Sequence, residues 1–180
     1  MSDIHLDHVR SLVAGRNVAL IGNSQRLIEK PNPRIADHDV IIRINKGYQI
    51  AQKTGCSRTD LLLVSAFPND VPEFLQMTPF VTYMSPKKRD LIDSSHRGRI
   101  AYYPIEWWTE LNKRIGERPS TGCMAVDMLS RLIGNGELHL YGFDFWRSPT
   151  SYNGINRPGP HSPNAEEAYA HCMVGPRNIH

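Results

Sequence analysis

Six short apolar runs bounded by polar turns constrain the fold of this 180-residue chain more than any other feature. They lie at residues 18–21, 40–44, 61–64, 80–83, 100–103 and 138–141 and are rich in Val, Ile and Leu. Runs this short, bounded by polar turns, predict strands of a largely parallel sheet covered on both faces. Amphipathic spacing predicts helices over 4–13, 106–115, 121–132 and 165–173 between them. Asn164, with Glu167 three residues on, has the spacing of a capping box for the last. Strands alternating with helices give a Rossmann-like α/β fold, read as one domain over 1–180.

Several function classes lose their support. The net charge is +3, too small to argue for nucleic acid. No apolar run approaches a membrane helix, and residues 1–5 carry no leader pattern. Cys56, Cys123 and Cys172 are an odd number without a C-x-x-C, so a reducing, cytoplasmic compartment is expected. There is no P-loop, no dinucleotide fingerprint and no nucleophile elbow. Asp37-His-Asp39 precedes its strand instead of ending one, and reads as a turn, with Asp39 ordering it.

Four features converge at the carboxyl edge of the predicted sheet, where open α/β folds bind ligands. Asn23 follows the first strand and Asn45 the second; Ser120-Thr-Gly122 opens the clearest helix. His161 lies in a segment, residues 145–164, with four prolines and two glycines. An Asn amide holds a phosphate oxygen or ribose hydroxyl equally well. A helix start capped by Ser120 or Thr121 suits an anion, and Gly122 gives a ligand room to approach the backbone. A histidine near neutrality serves as a general base. Each residue also has a plain structural use, as turn former, cap or solvated loop side chain. Spacing alone therefore reads as an anion or nucleotide site. Trp107 and Trp108 read as core packing. Lys87-Lys-Arg89 reads as a solvated face, with contact to anionic lipid as its alternative.

These residues resemble the sialylmotifs of the eukaryotic-type sialyltransferases, glycosyltransferase family 29. Residues 18–27 with their Gly-Asn-Ser turn, 35–45 ending Arg-x-Asn, and 55–60 resemble the large motif. Arg118-Pro-Ser-Thr-Gly122 through Leu140-Tyr-Gly-Phe143 resembles the small one, and His161 to Glu166 has the H-x-x-x-x-E form of the very small one. The resemblance implies a GT-A-like variant of the fold in a short, soluble, bacterial-type homologue. It implies a CMP-activated acidic sugar donor, sialic acid or Kdo, inverting chemistry, no metal and no other cofactor. The acceptor would be a glycan or glycolipid. Asn23 and Asn45 would contact the CMP phosphate and ribose, with Ser24 and Gly142 among the substrate-binding residues. Ser120, Thr121 and Gly122 would lie against the cytidine or the sugar carboxylate. His161 would be the base, Glu166 would place its region, and Tyr152 would donate to the departing phosphate. The family's disulfide between the large and small motifs is missing, since Asn17 and residues 133–135 stand at its two ends. The alternatives are a non-catalytic CMP-binding module and an α/β enzyme acting on another phosphorylated small molecule.

Overall fold

The computed structural model describes residues 4–66, 68–156 and 158–180. Residues 1–3, Phe67 and Arg157 lie outside them, as does most of the N-terminal leader reading. In chain order the elements are α1 (Ile4–Val13), β1 (Asn17–Ile21), α2 (Gln25–Glu29), β2 (Val40–Ile44), β3 (Leu61–Val64), α3 (Val71–Met77) and β4 (Phe80–Tyr83). Then come α4 (Ser94–Arg97), β5 (Ala101–Tyr102), α5 (Ile105–Ile115), α6 (Thr121–Leu132), β6 (Glu137–Tyr141) and α7 (Pro163–Val174). A 3-10 stretch, Asn45–Thr54, follows β2 directly.

All six strands are parallel, in the order β5-β4-β3-β2-β1-β6. β1 is the pivot: the chain leaves it toward β2 on one side and returns at the end to β6 on the other. That reversal opens a crevice at the carboxyl ends of β1 and β6.

Alternation within the strands splits the core into layers. Val18 and Leu20 of β1, Val40 and Ile42 of β2, and Leu138 and Leu140 of β6 face one side. There they pack with Val9 and Val13 of α1, Leu111 of α5, Met128 and Leu129 of α6, and Tyr169 of α7. On the opposite side Ala19, Ile21 and Ile41 pack with Leu27 of α2, while Leu62, Val64 and Val81 pack with Phe74 of α3. The sheet is thus covered on both faces, as the short apolar runs predict.

Arg43 sits between these last two clusters, with only 1% of it exposed. Its guanidinium donates to Thr59 Oγ1 (3.1 Å), Thr54 Oγ1 (3.2 Å) and the Cys56 carbonyl. Burial lowers its pKa to about 10. Asp127 of α6 is equally buried and binds three donors from three elements. The hydroxyls of Tyr103 (2.6 Å) and Tyr169 (2.7 Å) and Arg131 Nε (2.9 Å) all reach it. This joins the end of β5, α6 and α7 at the level of the crevice.

Some local expectations change. The last helix starts earlier than its sequence suggests: Ser162 is the N-cap residue and Pro163 takes the first helical turn, where a missing N–H is harmless. Asn164 is therefore inside the helix, and Glu167 pairs with Arg147 instead of closing a capping box. Arg89 is not part of a solvated face; it donates to the Ser85 (2.9 Å) and Tyr103 carbonyls and lies over the Tyr102 ring. Asp39 accepts from the Asn17 N–H (2.9 Å), fixing the start of β1 beside β2. The two ends of the missing disulfide are held by backbone bonds, Gly15 N–H to Ile133 O (2.8 Å) and Glu137 N–H to Arg16 O (2.9 Å). All three cysteines are free thiols. Among the described residues no helix is long and apolar enough to cross a membrane.

Candidate active site

A cavity of about 330 Å³ opens at the carboxyl ends of β1, β2 and β6. Every residue singled out from the sequence lines it: Asn23, Ser24, Asn45, Ser120, Thr121, Gly122, Gly142, Tyr152, His161 and Glu166. No Lys or Arg is among its described lining residues, so its polar wall is made of amides, hydroxyls, one imidazole and two carboxyls.

Asn23 and Asn45 stand side by side on neighbouring strand ends. Asn23 Nδ2 donates to the Ile44 carbonyl (3.2 Å). Its Oδ1 is buried and finds no partner among the described residues, so it offers an unused acceptor to a ligand hydroxyl or amine. Gly47 makes room for it, since a Cβ there would stand 2.5 Å from that oxygen. Asn45 has a left-handed backbone (φ 48°), a conformation asparagine tolerates better than most residues. Its Oδ1 accepts from the Ser65 N–H (3.0 Å) and its Nδ2 points at Thr121 Oγ1 (3.4 Å). The Tyr152 hydroxyl is also hydrogen-bonded to Asn45. Burial raises that phenol's pKa, while Asn45 and Lys46 pull the other way; Tyr152 therefore stays a protonated donor.

His161 is fixed by its ring. Nδ1 lies 2.7 Å from the Arg118 carbonyl, which can only accept, so Nδ1 carries the proton and Nε2 keeps its lone pair. Burial lowers its pKa, outweighing the carbonyl bond, and leaves a neutral imidazole at pH 7. Trp146 stacks on it, with ring centroids 5.6 Å apart and planes 22° apart.

Glu166 changes the reading of the α6 start. Its carboxyl accepts from the Ser120 N–H (2.8 Å) and hydroxyl (2.5 Å), while Ser120 Oγ caps Cys123 N–H (3.1 Å). A carboxyl of the protein itself thus occupies the Ser120 N–H and hydroxyl expected to take the ligand's anion. Burial pushes the Glu166 pKa up to about 7 against these bonds. The spacing from His161 to Glu166 matches the segment opposite: one end holds Arg118, the other Ser120.

Three other lining positions also have partners within the protein. The Ser24 hydroxyl caps α2, donates to Asp144 (2.9 Å) and meets Ser148 Oγ (2.9 Å). Gly122 leaves space for the Phe143 ring, 3.0 Å from where a Cβ would be. Gly142 needs its left-handed backbone (φ 69°) and the room taken by Leu27. Residues not singled out from sequence complete the wall: Phe143, Asp144, Phe145 and Trp146. Their position straight after β6 was the available signal. Trp107 and Trp108 are outside the cavity, packed against the core.

Neither a protein-family model nor a curated protein matches the sequence. Solved structures do. A mammalian sialyltransferase aligns with a TM-score of 0.64 at 21% identity, over 98% of this chain and 76% of its own. The sialyltransferase CstII from Campylobacter jejuni in complex with cytidine-5'-monophosphate aligns at 0.59 and 15% identity, over 89% of this chain and 77% of that one. The same enzyme in complex with CMP-3FNeuAc gives 0.59 and 14%, over 91% and 85%. This chain shares its fold with those sialyltransferases.

Proposed function

We propose that the chain is an inverting, metal-independent glycosyltransferase that moves an acidic sugar from a CMP donor to a hydroxyl of a glycan or glycolipid. The observation that carries this reading is His161, a neutral imidazole with Nδ1 committed to a carbonyl, in one cavity with Asn23, Asn45 and Tyr152. CMP and a CMP-sugar analogue bound to structurally similar enzymes support the donor class.

In the proposed reaction the acceptor hydroxyl attacks the anomeric carbon and passes its proton to His161 Nε2. The bond from that carbon to the CMP phosphate oxygen breaks, and its electron pair leaves on the phosphate. The displacement is single, so the anomeric centre inverts. Tyr152 O–H, Thr121 O–H and the Asn45 amide meet the charge gathering on that oxygen. A monophosphate leaving group gathers little enough charge for fixed hydrogen-bond donors to serve without a divalent ion.

Calorimetric titration with CMP, UMP and AMP in EDTA, for wild type and Asn45→Ala, tests the reading. Selective CMP binding weakened by the substitution is expected. Equal binding of all three nucleotides refutes the cytidine donor and leaves an α/β site for another phosphorylated ligand. Tight CMP binding without donor hydrolysis or transfer identifies a binding module.

A further inference from the structure

We propose that Trp146 is the positioning residue of His161: its indole fixes the plane of the imidazole and so aims Nε2 at the acceptor hydroxyl. This rests on the reading of His161 as the base.

One hydrogen bond leaves a ring free to swing about the bond axis. The bond from His161 Nδ1 to the Arg118 carbonyl sets where the ring edge points but not how the ring is tilted. The Trp146 stack, 5.6 Å between centroids with a 22° tilt, supplies the missing restraint. Each contact alone leaves Nε2 free to sweep an arc; together they define one direction.

The backbone is bent to deliver the indole. Phe145 (φ 52°) and Trp146 (φ 62°) are consecutive non-glycine residues in left-handed conformation. Bulky side chains rarely adopt it, and such strain persists only where the surroundings impose it. Here the turn is held by the Arg147 N–H to the Asp144 carbonyl (3.1 Å). It is also held by the paired bonds of Arg147 to Glu167 (2.9 and 2.7 Å) on α7. His161 enters the same helix through Ser162, its N-cap. Both rings are therefore referenced to the first turns of α7.

The indole also takes water away from one face of the imidazole, consistent with burial lowering its pKa. The charged groups around the pair are Arg118, whose charge also lowers it, Glu166 bound to Ser120, and the Arg147–Glu167 ion pair.

The test uses wild type, Trp146→Phe, Trp146→Ala and His161→Gln. The His161 ring is titrated by proton NMR, assigned by its loss in His161→Gln, and transfer from CMP-sialic acid and CMP-Kdo is measured across pH. Trp146→Ala should lower kcat on the order of 10²-fold with donor KM unchanged, the effect of misplacing a reacting group by about 1 Å. Its imidazole pKa and the acid limb of kcat/KM should both rise toward the ordinary value. Trp146→Phe, which keeps a stacking face, should recover both. An unmoved imidazole pKa in Trp146→Ala, or a raised donor KM with unchanged kcat, overturns the proposal. So does a Trp146→Phe variant no better than Trp146→Ala. If His161→Gln turns over as fast as wild type, the base assignment itself fails, whatever Trp146 does.

Discussion

Replacing Glu166 with glutamine isolates a carboxyl whose ionisation the fold opposes. Glu166 is 3% exposed, and its pKa stands at about 7 against an ordinary 4.5. Between those values the unfolded chain has released the proton and the folded chain has kept it. Stability from this group is therefore complete below about pH 4.5 and is lost as pH rises toward and through 7. The interval corresponds to about 3 kcal/mol. Glutamine has the shape of the protonated carboxyl and carries no charge: its oxygen accepts from the Ser120 N–H, and the Ser120 hydroxyl, which donates to Glu166 in the wild type, turns to accept from the amide. Glu166→Gln should match wild type, up to a constant offset, below pH 4.5. It should gain on wild type between pH 4.5 and 7 and stay ahead by about 3 kcal/mol more at pH 8. Urea denaturation at half-unit steps from pH 4 to 9 measures the difference, and the histidines shared by both proteins cancel. A difference that stays flat across that range refutes the argument, as does one that shrinks with rising pH.

Three further outcomes are expected. His161→Ala should lose transfer by ~10²–10⁴-fold while CMP affinity by calorimetry stays close to wild type, the signature of a lost base; equal loss of both would contradict the role. Gly47→Ala places a methyl 2.5 Å from Asn23 Oδ1 without replacing a residue of the cavity. It should weaken CMP binding about tenfold with the fold intact by circular dichroism, and unchanged affinity would remove Asn23 from the site. On the far side of β6, His139 Nδ1 meets His180 Nε2 at 3.2 Å, and His38 lies edge-on to His139. Burial lowers the pKa of His38 and of His180, so the stability they contribute is present above their ordinary range and lost as pH falls through and below it. The protection factor of the His180 amide, whose N–H binds the Leu140 carbonyl, should fall below about pH 6 before those of β1 do.

The strands were legible because each is a short run dominated by apolar residues and bounded by polar turns. β2, β3 and β4 have the bounds the sequence suggests. α2, α3 and α4 were not predicted; they have five, seven and four residues, too short for a helical period to register. Asn23 and Asn45 were legible from their places at strand ends. The uses of Ser24, Gly122 and Gly142 were not, because sequence does not say whether a small residue makes room for a ligand or for a neighbour such as Phe143 or Leu27. The Trp146–His161 pair is joined only by a turn with two left-handed residues, which no local pattern announces.

The place of β1 in the sheet has a consequence for how the chain acquires its cavity. Asn17, at the start of β1, pairs with Glu137, and the β1 floor is incomplete until β6 arrives beside it. Loop closure over so long a stretch is slow and gains nothing until the far strand docks. During synthesis Asn23 and Asn45 would emerge well before the opposite wall and His161. The cavity would then form in a single late step, and a fragment ending before β6 would lack it, however well its first strands paired.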